Sequence, residues 1–242
     1  RGVSQDDKEA VAWYRKAADL GNVDAMFYLG VCYVQGRGVP QEHTEAAAWY
    51  RRAAGLGNVY AMCHLGLCYE QGRGVPRDVK EAVSWFRKAA DLGNVDAMFN
   101  LGLCYEQSRG VSRDHKEAVA WYRKAADLGL ATAMFNLGTA YEEGRGVPQD
   151  DKEAVAWFRK AADLGNVIAM HNLGVCYEKG RGVPQDSVQA YAWINLASAE
   201  GHTPAAELRT EVAKNMTREQ IAEGQAMTRE LLRKLEAQRE GK

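Results

Sequence analysis

Cysteine and histidine are the side chains here best suited to nucleophilic or metal chemistry, and the chain has five of each. Cys32, Cys68, Cys104 and Cys176 fall in one series of 36-residue steps, with Ala140 completing it. If such steps are successive stacked helices, neighbouring members lie roughly 8–10 Å apart, beyond the ~7 Å Cα separation a disulfide spans. Cys63 and Cys68 point to different sides of one helix, so all five read as free thiols, the series members as small core residues. His64 and Cys68 have the i, i+4 spacing that aims two ligands at one metal, but no further Cys or His is placed to complete a set. The G-R-G-V segments lack the strand that a phosphate loop follows, and no nucleophile elbow or activating spacing links Ser, His and Asp. No catalytic residue, metal or cofactor is expected.

Binding chemistry is better represented. Comparing the copies of the 36-residue unit internally shows where they differ. One position reads Asp24, Tyr60, Asp96, Thr132, Ile168; a second reads Phe27, Cys63, Phe99, Phe135, His171; a third reads Tyr28, His64, Asn100, Asn136, Asn172. On a helix these offsets of three and four share one stripe. Asparagine both donates and accepts, so Asn100, Asn136 and Asn172 can clasp the amides of an extended chain. Phe27, Tyr28, Tyr60, Phe99 and Phe135 supply aromatic area of the kind enriched at interfaces. With His64, Asp96 and His171 these are the candidate partner-binding residues. Two duller readings stand beside this one: the phenylalanines as inter-repeat core, and the asparagines as local caps.

The elements that must carry this stripe follow from the period. Trp13, Trp49, Trp85, Trp121, Trp157 and Trp193 are all the tryptophans, each 36 residues after the last. A period of this length means stacked units, each too small to bury its own apolar face. Ala10, Trp13, Tyr14, Ala17 and Ala18 trace one face of a first helix. Asp6/Glu9, Asp78/Glu81, Asp114/Glu117 and Asp150/Glu153 have capping-box spacing at its start, and Gly21 and its equivalents end it. A second helix of about twelve residues places Ala25, Met26, Leu29 and Tyr33 inside. The G-R-G-V-P link leads to the next unit. Glu70, Glu106, Glu142 and Glu178 close the second helices, with Arg73, Arg109, Arg145 and Arg181 three residues on as local neutralisers. No strand-like alternation is present, so the fold class is all-α: an α-solenoid of helix pairs. The last unit decays, with Arg209 in the Leu29 column. Ile221, Thr228, Leu231, Leu232 and Leu235, after a Thr217/Gln220 capping box, describe a final helix that closes the stack.

The units resemble Sel1-like repeats, relatives of the tetratricopeptide repeat. The pattern A-M-x-x-L-G-x-x-Y-x-x-G-R-G-V-P-x-D-x-x-x-A-x-x-W-[YF]-x-x-A-A-x-x-G is met from Ala25 to Gly57, Ala61 to Gly93, Ala97 to Gly129, Ala133 to Gly165 and, most loosely, Ala169 to Gly201. The resemblance implies right-handed stacking of antiparallel helix pairs and a concave groove lined by the M-x-x-L-G helix, on which the variable stripe would lie. It also implies a non-catalytic adaptor that holds a peptide or segment of another protein. A minority of the family, rich in paired cysteines, is associated with binding or hydrolysing β-lactams. The paired cysteines are missing here, as are S-x-x-K and K-T-G motifs. Self-association through an open amino-terminal helix, residues 1–20, is a third expectation.

The expected organisation is a leading half-repeat helix at 1–23, repeats at 24–59, 60–95, 96–131, 132–167 and 168–203, and a degenerate repeat with its cap at 204–242. Across 242 residues, 31 basic against 32 acidic side chains leave a net charge of −1, which gives no footprint for nucleic acid. No run approaches the roughly 18 apolar residues of a membrane span. The start at Arg1 suggests a trimmed chain whose compartment is unread; free thiols fit a reducing compartment but equally leave periplasm or secretion open. The tail has a bacterial look.

Overall fold

The computed structural model describes residues 5–240. Among them are thirteen helices and no strand: α1 (Gln5–Asp19), α2 (Val23–Gln35), α3 (His43–Gly55), α4 (Val59–Gln71), α5 (Val79–Asp91), α6 (Val95–Gln107), α7 (His115–Asp127), α8 (Ala131–Glu143), α9 (Asp151–Asp163), α10 (Val167–Lys179), α11 (Ser187–Ala199), α12 (Thr203–Lys214) and α13 (Arg218–Glu240). The chain divides into two units, the first ending at Trp121 and the second beginning at Tyr122. In the first unit each helix from α1 to α6 packs on the next. In the second, α8 to α11 do the same, and α12 and α13 both pack on α11.

Of the helices that carry the variable stripe, α2, α4, α6 and α10 begin with asparagine caps, while α8 begins after Leu130 without a side-chain cap. Asn22, Asn58, Asn94 and Asn166 each accept a hydrogen bond from the backbone N–H three residues on, at 2.8–2.9 Å. A cap of this kind satisfies one of the orphan donors of a helix start. The first helices of later repeats are capped by Asp78, Asp114, Asp150 and Asp186, whose carboxylates accept from two following N–H groups. The reciprocal half of the expected box is pre-empted: the backbone N–H of Asp78 donates to Tyr69 O, and those of Asp114, Asp150 and Asp186 to Tyr105, Tyr141 and Tyr177 O. Asp6 differs again, lying inside the first turn of α1 rather than capping it. A full two-way box forms at the start of α13, where Thr217 and Gln220 exchange backbone-to-side-chain bonds of 2.9 and 3.2 Å.

Helix pairs interlock at the glycine of each second helix. A Cβ on Gly30 would sit 2.4 Å from the Tyr50 ring, and one on Gly66 would sit 2.6 Å from the Phe86 ring. The missing side chain is what lets a ring of the following helix lie flat on the backbone, and Tyr50 and Phe86 are consequently buried. An arginine–tyrosine clamp then ties first helix to second. Arg15 Nη2 donates to Tyr33 Oη at 2.7 Å and Arg51 Nη2 to Tyr69 Oη at 3.0 Å. Arg87 with Tyr105, Arg123 with Tyr141 and Arg159 with Tyr177 repeat the bond.

Trp49, Trp157 and Trp193 are buried, whereas Trp13 on α1 is 67% exposed. The recurring Leu20, Leu56, Leu92, Leu128 and Leu164 are also exposed, because each sits where the first helix ends and the chain turns away from the packed face. All five thiols are free and buried.

α13 closes the second unit. Gly224 lies against the Tyr191 ring, and the Thr228 hydroxyl meets the Ala192 carbonyl of α11 at 3.2 Å while accepting from Asn195 Nδ2. Thr228 and Leu235 are buried and Ile221, Leu231 and Leu232 half-buried, so the expected apolar face is the one that packs.

The Glu–Arg series pairs differently from its sequence spacing. Glu70 meets Arg109, not Arg73, and Glu142 meets Arg181, not Arg145. Two residues past the end of a helix the chain has already turned through the left-handed cap. The arginines that reach Glu70 and Glu142 therefore come from the following repeat, while Arg145 also meets Glu143 close by in the chain.

Candidate functional site

The variable stripe occupies the accessible side of the second helices in both units. In the first unit α2 presents half-buried Phe27 and exposed Tyr28, α4 presents exposed Tyr60 and half-buried His64, and α6 presents exposed Asp96 with half-buried Phe99 and Asn100. In the second unit α8 presents Phe135 and Asn136, and α10 presents His171 and Asn172, all half-buried. The invariant partners on the same helices, Ala25, Met26, Leu29 and their equivalents, are buried. Partial burial means that the phenylalanines do both jobs, packing with one edge and facing solvent with the other.

Within the first unit several of these side chains converge. The Phe27 ring is a hub, its centroid 5.3 Å from Tyr28, 5.4 Å from His64, 6.0 Å from Tyr60 and 5.9 Å from buried Tyr50. Tyr14 of α1 stacks on Tyr28 at 5.5 Å, and His64 lies 5.2 Å from Tyr50. Such separations are those of favourable tilted and offset aromatic pairs. Tyr28 and Tyr60 remain 47% and 59% exposed. Asp24 Oδ1 of α2 accepts from Asn58 Nδ2, the cap of α4, at 2.9 Å. In the second unit the pairing is more local: Phe135 packs on Phe158 at 5.9 Å, and His171 meets His202 edge-on at 5.0 Å.

Tyr14, Tyr50 and Asn58 are not among the candidates read from sequence. Tyr14 and Tyr50 belong to first helices, and only the packing of α1 and α3 beside α2 brings their rings to the stripe. The tyrosine at that place in the first helix had already marked it as apolar-face material.

Electrostatics argue against nucleophilic chemistry. Burial pushes the Cys63 thiol up to about 12, with Asp96 adding to the rise and the neighbouring Asn100 amide partly offsetting it. Burial likewise raises Cys104 and Cys176 to about 11. Protonated thiols are poor nucleophiles and poor metal ligands. Burial lowers the pKa of His64, against an opposing pull from Asp96, and lowers that of His171, helped by His202. Neutral imidazoles are therefore favoured at pH 7. Among the described residues no group of three or more His, Cys, Asp or Glu side chains is arranged to hold a metal ion.

One cleft adjoins the stripe and another lies away from it. The former, of about 150 Å³ in the first unit, is lined by His43, Tyr50, His64 and Cys68 among others. It is smaller than the ~300–1,000 Å³ of ordinary small-molecule sites. The other, about 430 Å³, lies between α9, α11 and α13 of the second unit and is lined by Arg159, Asp163, Trp193, Leu231 and Lys234 among others. Among the described residues no helix is long and apolar enough to cross a membrane.

Comparison with known proteins agrees with this architecture. The chain superposes on a Sel1 repeat protein from Oxalobacter formigenes with a TM-score of 0.81 and 31% identity, covering 93% of this chain and 94% of that one. It is also similar to c5321, a protective antigen of uropathogenic Escherichia coli strains with an SLR fold, at 31% identity and TM-score 0.59. That match covers 97% of this chain but 58% of the other. A putative Sel1 repeat protein from Klebsiella pneumoniae shares the fold at 22% identity and TM-score 0.51, covering 84% of this chain and 99% of that one. No protein of curated function matches the sequence. The Sel1 repeat model matches residues 1–22, 23–58, 59–94, 95–130, 131–166 and 167–202. Helix pairs locked by glycine against ring, repeated at the same spacing over most of its length, are thus those of a member of the Sel1 repeat family, and the chain belongs to it.

Proposed function

We propose that the protein is a non-catalytic interaction module that holds a peptide or protein segment along the accessible face of its second helices. The observation that carries this reading is the contrast on those helices: one side is repeated and buried, while the other varies between copies and, buried Cys63 apart, is exposed or half-buried. Sel1 repeats commonly mediate protein–protein interaction, which supports the same reading. Rigid presentation of aromatic and amide groups lowers the ordering cost that binding imposes. Raised thiol pKa values and the lack of an activated nucleophile favour binding over catalysis.

The test is a random-peptide display selection against the full chain, followed by Asn100→Ala and Asn136→Ala. Both substitutions are expected to weaken the selected peptides by about tenfold in total while the melting temperature changes little. Loss of stability with unchanged affinity would place both asparagines among the structural residues. Covalent labelling by a reporter penicillin would instead favour the β-lactam reading.

A second reading, self-association through α1, is favoured by the exposure of Trp13, at 67%, where Trp49, Trp157 and Trp193 are buried. Light scattering should then show a concentration-dependent rise in mass that Trp13→Ala abolishes; a constant monomer mass argues against it.

A further inference from the structure

The aromatic cluster of the first unit is asymmetric in charge. α2, α4 and α6 carry no lysine or arginine, while acidic side chains punctuate all three. Of these, Glu70 is engaged by Arg109. Asp24 and Asp96 are exposed at the starts of α2 and α6, on either side of Tyr60, and no ion pair holds either among the described residues. The Asn58 amide, which also caps α4, fixes the Asp24 carboxylate through one oxygen. Only one of its oxygens is engaged, and Asp24 lies one helical turn before Tyr28 on α2.

We infer that Tyr28, Tyr60 and Phe27, with Asp24 and Asp96, form a recognition site for a basic side chain, lysine or arginine, of a bound polypeptide. An aromatic face within ~6 Å attracts a cation through its quadrupole, more strongly as water is excluded. A carboxylate already held by a neutral donor adds a charge-assisted bond with little further ordering. His64 keeps the floor of the site polar without opposing a cation, because burial favours its neutral form. The complementary charge is what selects this occupant over a purely apolar segment, for which two carboxylates would be a desolvation cost. The inference rests on the interaction-module reading and names the chemistry of the guest at one point along the face.

Titration of the full chain with acetyl-arginine methylamide, followed through the aromatic resonances in NMR, tests the site without any selected partner. Saturable shifts of the Tyr28, Tyr60 and His64 signals are expected. The neutral isostere acetyl-citrulline methylamide should bind about tenfold more weakly. Asp24→Asn should remove the difference between the two probes, and Tyr60→Ala should weaken the charged one. Circular dichroism on both variants establishes that they remain folded. Equal shifts from both probes, shifts mapped elsewhere, or no shifts at all would overturn the assignment. If the probes fail while selected peptides still depend on Asn100 and Asn136, the basic-residue site falls and the interaction reading stands. If the probes bind while no peptide is selected, the assignment to a side chain of a bound polypeptide is overturned together with the interaction reading.

Discussion

The Arg181 guanidinium reaches the Glu142 carboxylate at 2.9 Å, although the two residues belong to successive repeats. Glu70 and Arg109 make the equivalent pair in the first unit. Both glutamates lie in the last turn of a second helix, where a carboxylate faces the negative end of the dipole. The arginine offsets that, and it links one repeat to the next at the loop edge. A double-mutant cycle on Glu142 and Arg181 should give a coupling of about 0.5–1 kcal/mol, reduced by salt because both groups are partly exposed. The same cycle on Glu142 and Arg145 should give almost none. Equal couplings would return the pairing to the local one.

Ser108 is the one residue other than glycine with a positive φ, at 58°, among the described residues, and it ends α6 where Gly36, Gly72, Gly144 and Gly180 end the corresponding helices. An L-residue in that region costs about 1–2 kcal/mol. Part of this is recovered by the bond from Ser108 Oγ to Val111 O. Ser108→Gly should therefore raise stability by about 0.5–1 kcal/mol in urea denaturation. A loss would mean that the hydroxyl bond outweighs the backbone strain.

The glycine–ring contact predicts the opposite sign at another position. Gly66→Ala places a methyl group 2.6 Å from the fully buried Phe86 ring. Overpacking of this kind costs about 1–3 kcal/mol, read as a lowered denaturation midpoint. Gly57→Ala tests something else, since nothing crowds its Cβ and only its φ of 95° opposes substitution.

Tryptophan truncation should divide by depth, not by place in the repeat. Trp193→Ala, at 1% exposure, should destabilise by about 3–5 kcal/mol. Trp13→Ala, with its ring open to solvent and Lys16 Nζ 4.6 Å above it, should cost less than about 1 kcal/mol. Comparable losses at both sites would show that α1 packs as the inner first helices do.

The buried thiols set an alkaline limit. Their folded pKa values stand above the ordinary value near 9, at about 11 for Cys104 and Cys176 and about 12 for Cys63. The unfolded chain thus releases these protons first, so the stabilising effect is complete below pH 9 and is lost as pH rises through 11–12. Unfolding free energy should be level across the neutral range in this respect and fall above about pH 9. Replacing Cys63 and Cys104 by alanine should flatten that fall; an unchanged slope would assign it to other groups.

The sequence by itself determined the helix pairs, their order and the stripe. Identical steps of Trp, Gly and Met-x-x-Leu-Gly repeat one local solution, and most of the short helices carry their own cap and stop signals. It also determined that Thr217 and Gln220 close a box and that α13 turns the face of Thr228 and Leu235 inward, since capping and amphipathicity are local properties. What the tertiary structure alone decided is which residues meet across repeats. Arg109 lies three residues from Glu106 in the chain, yet it pairs with Glu70. Tyr14 and Tyr50 enter the aromatic cluster from other helices, and Trp13 and Trp193 hold the same place in the period but differ wholly in depth. These outcomes depend on the rotation of one helix pair against the next and on what lies beyond each face. A period in sequence carries neither, because it records repetition along the chain and not the angle at which the copies stack.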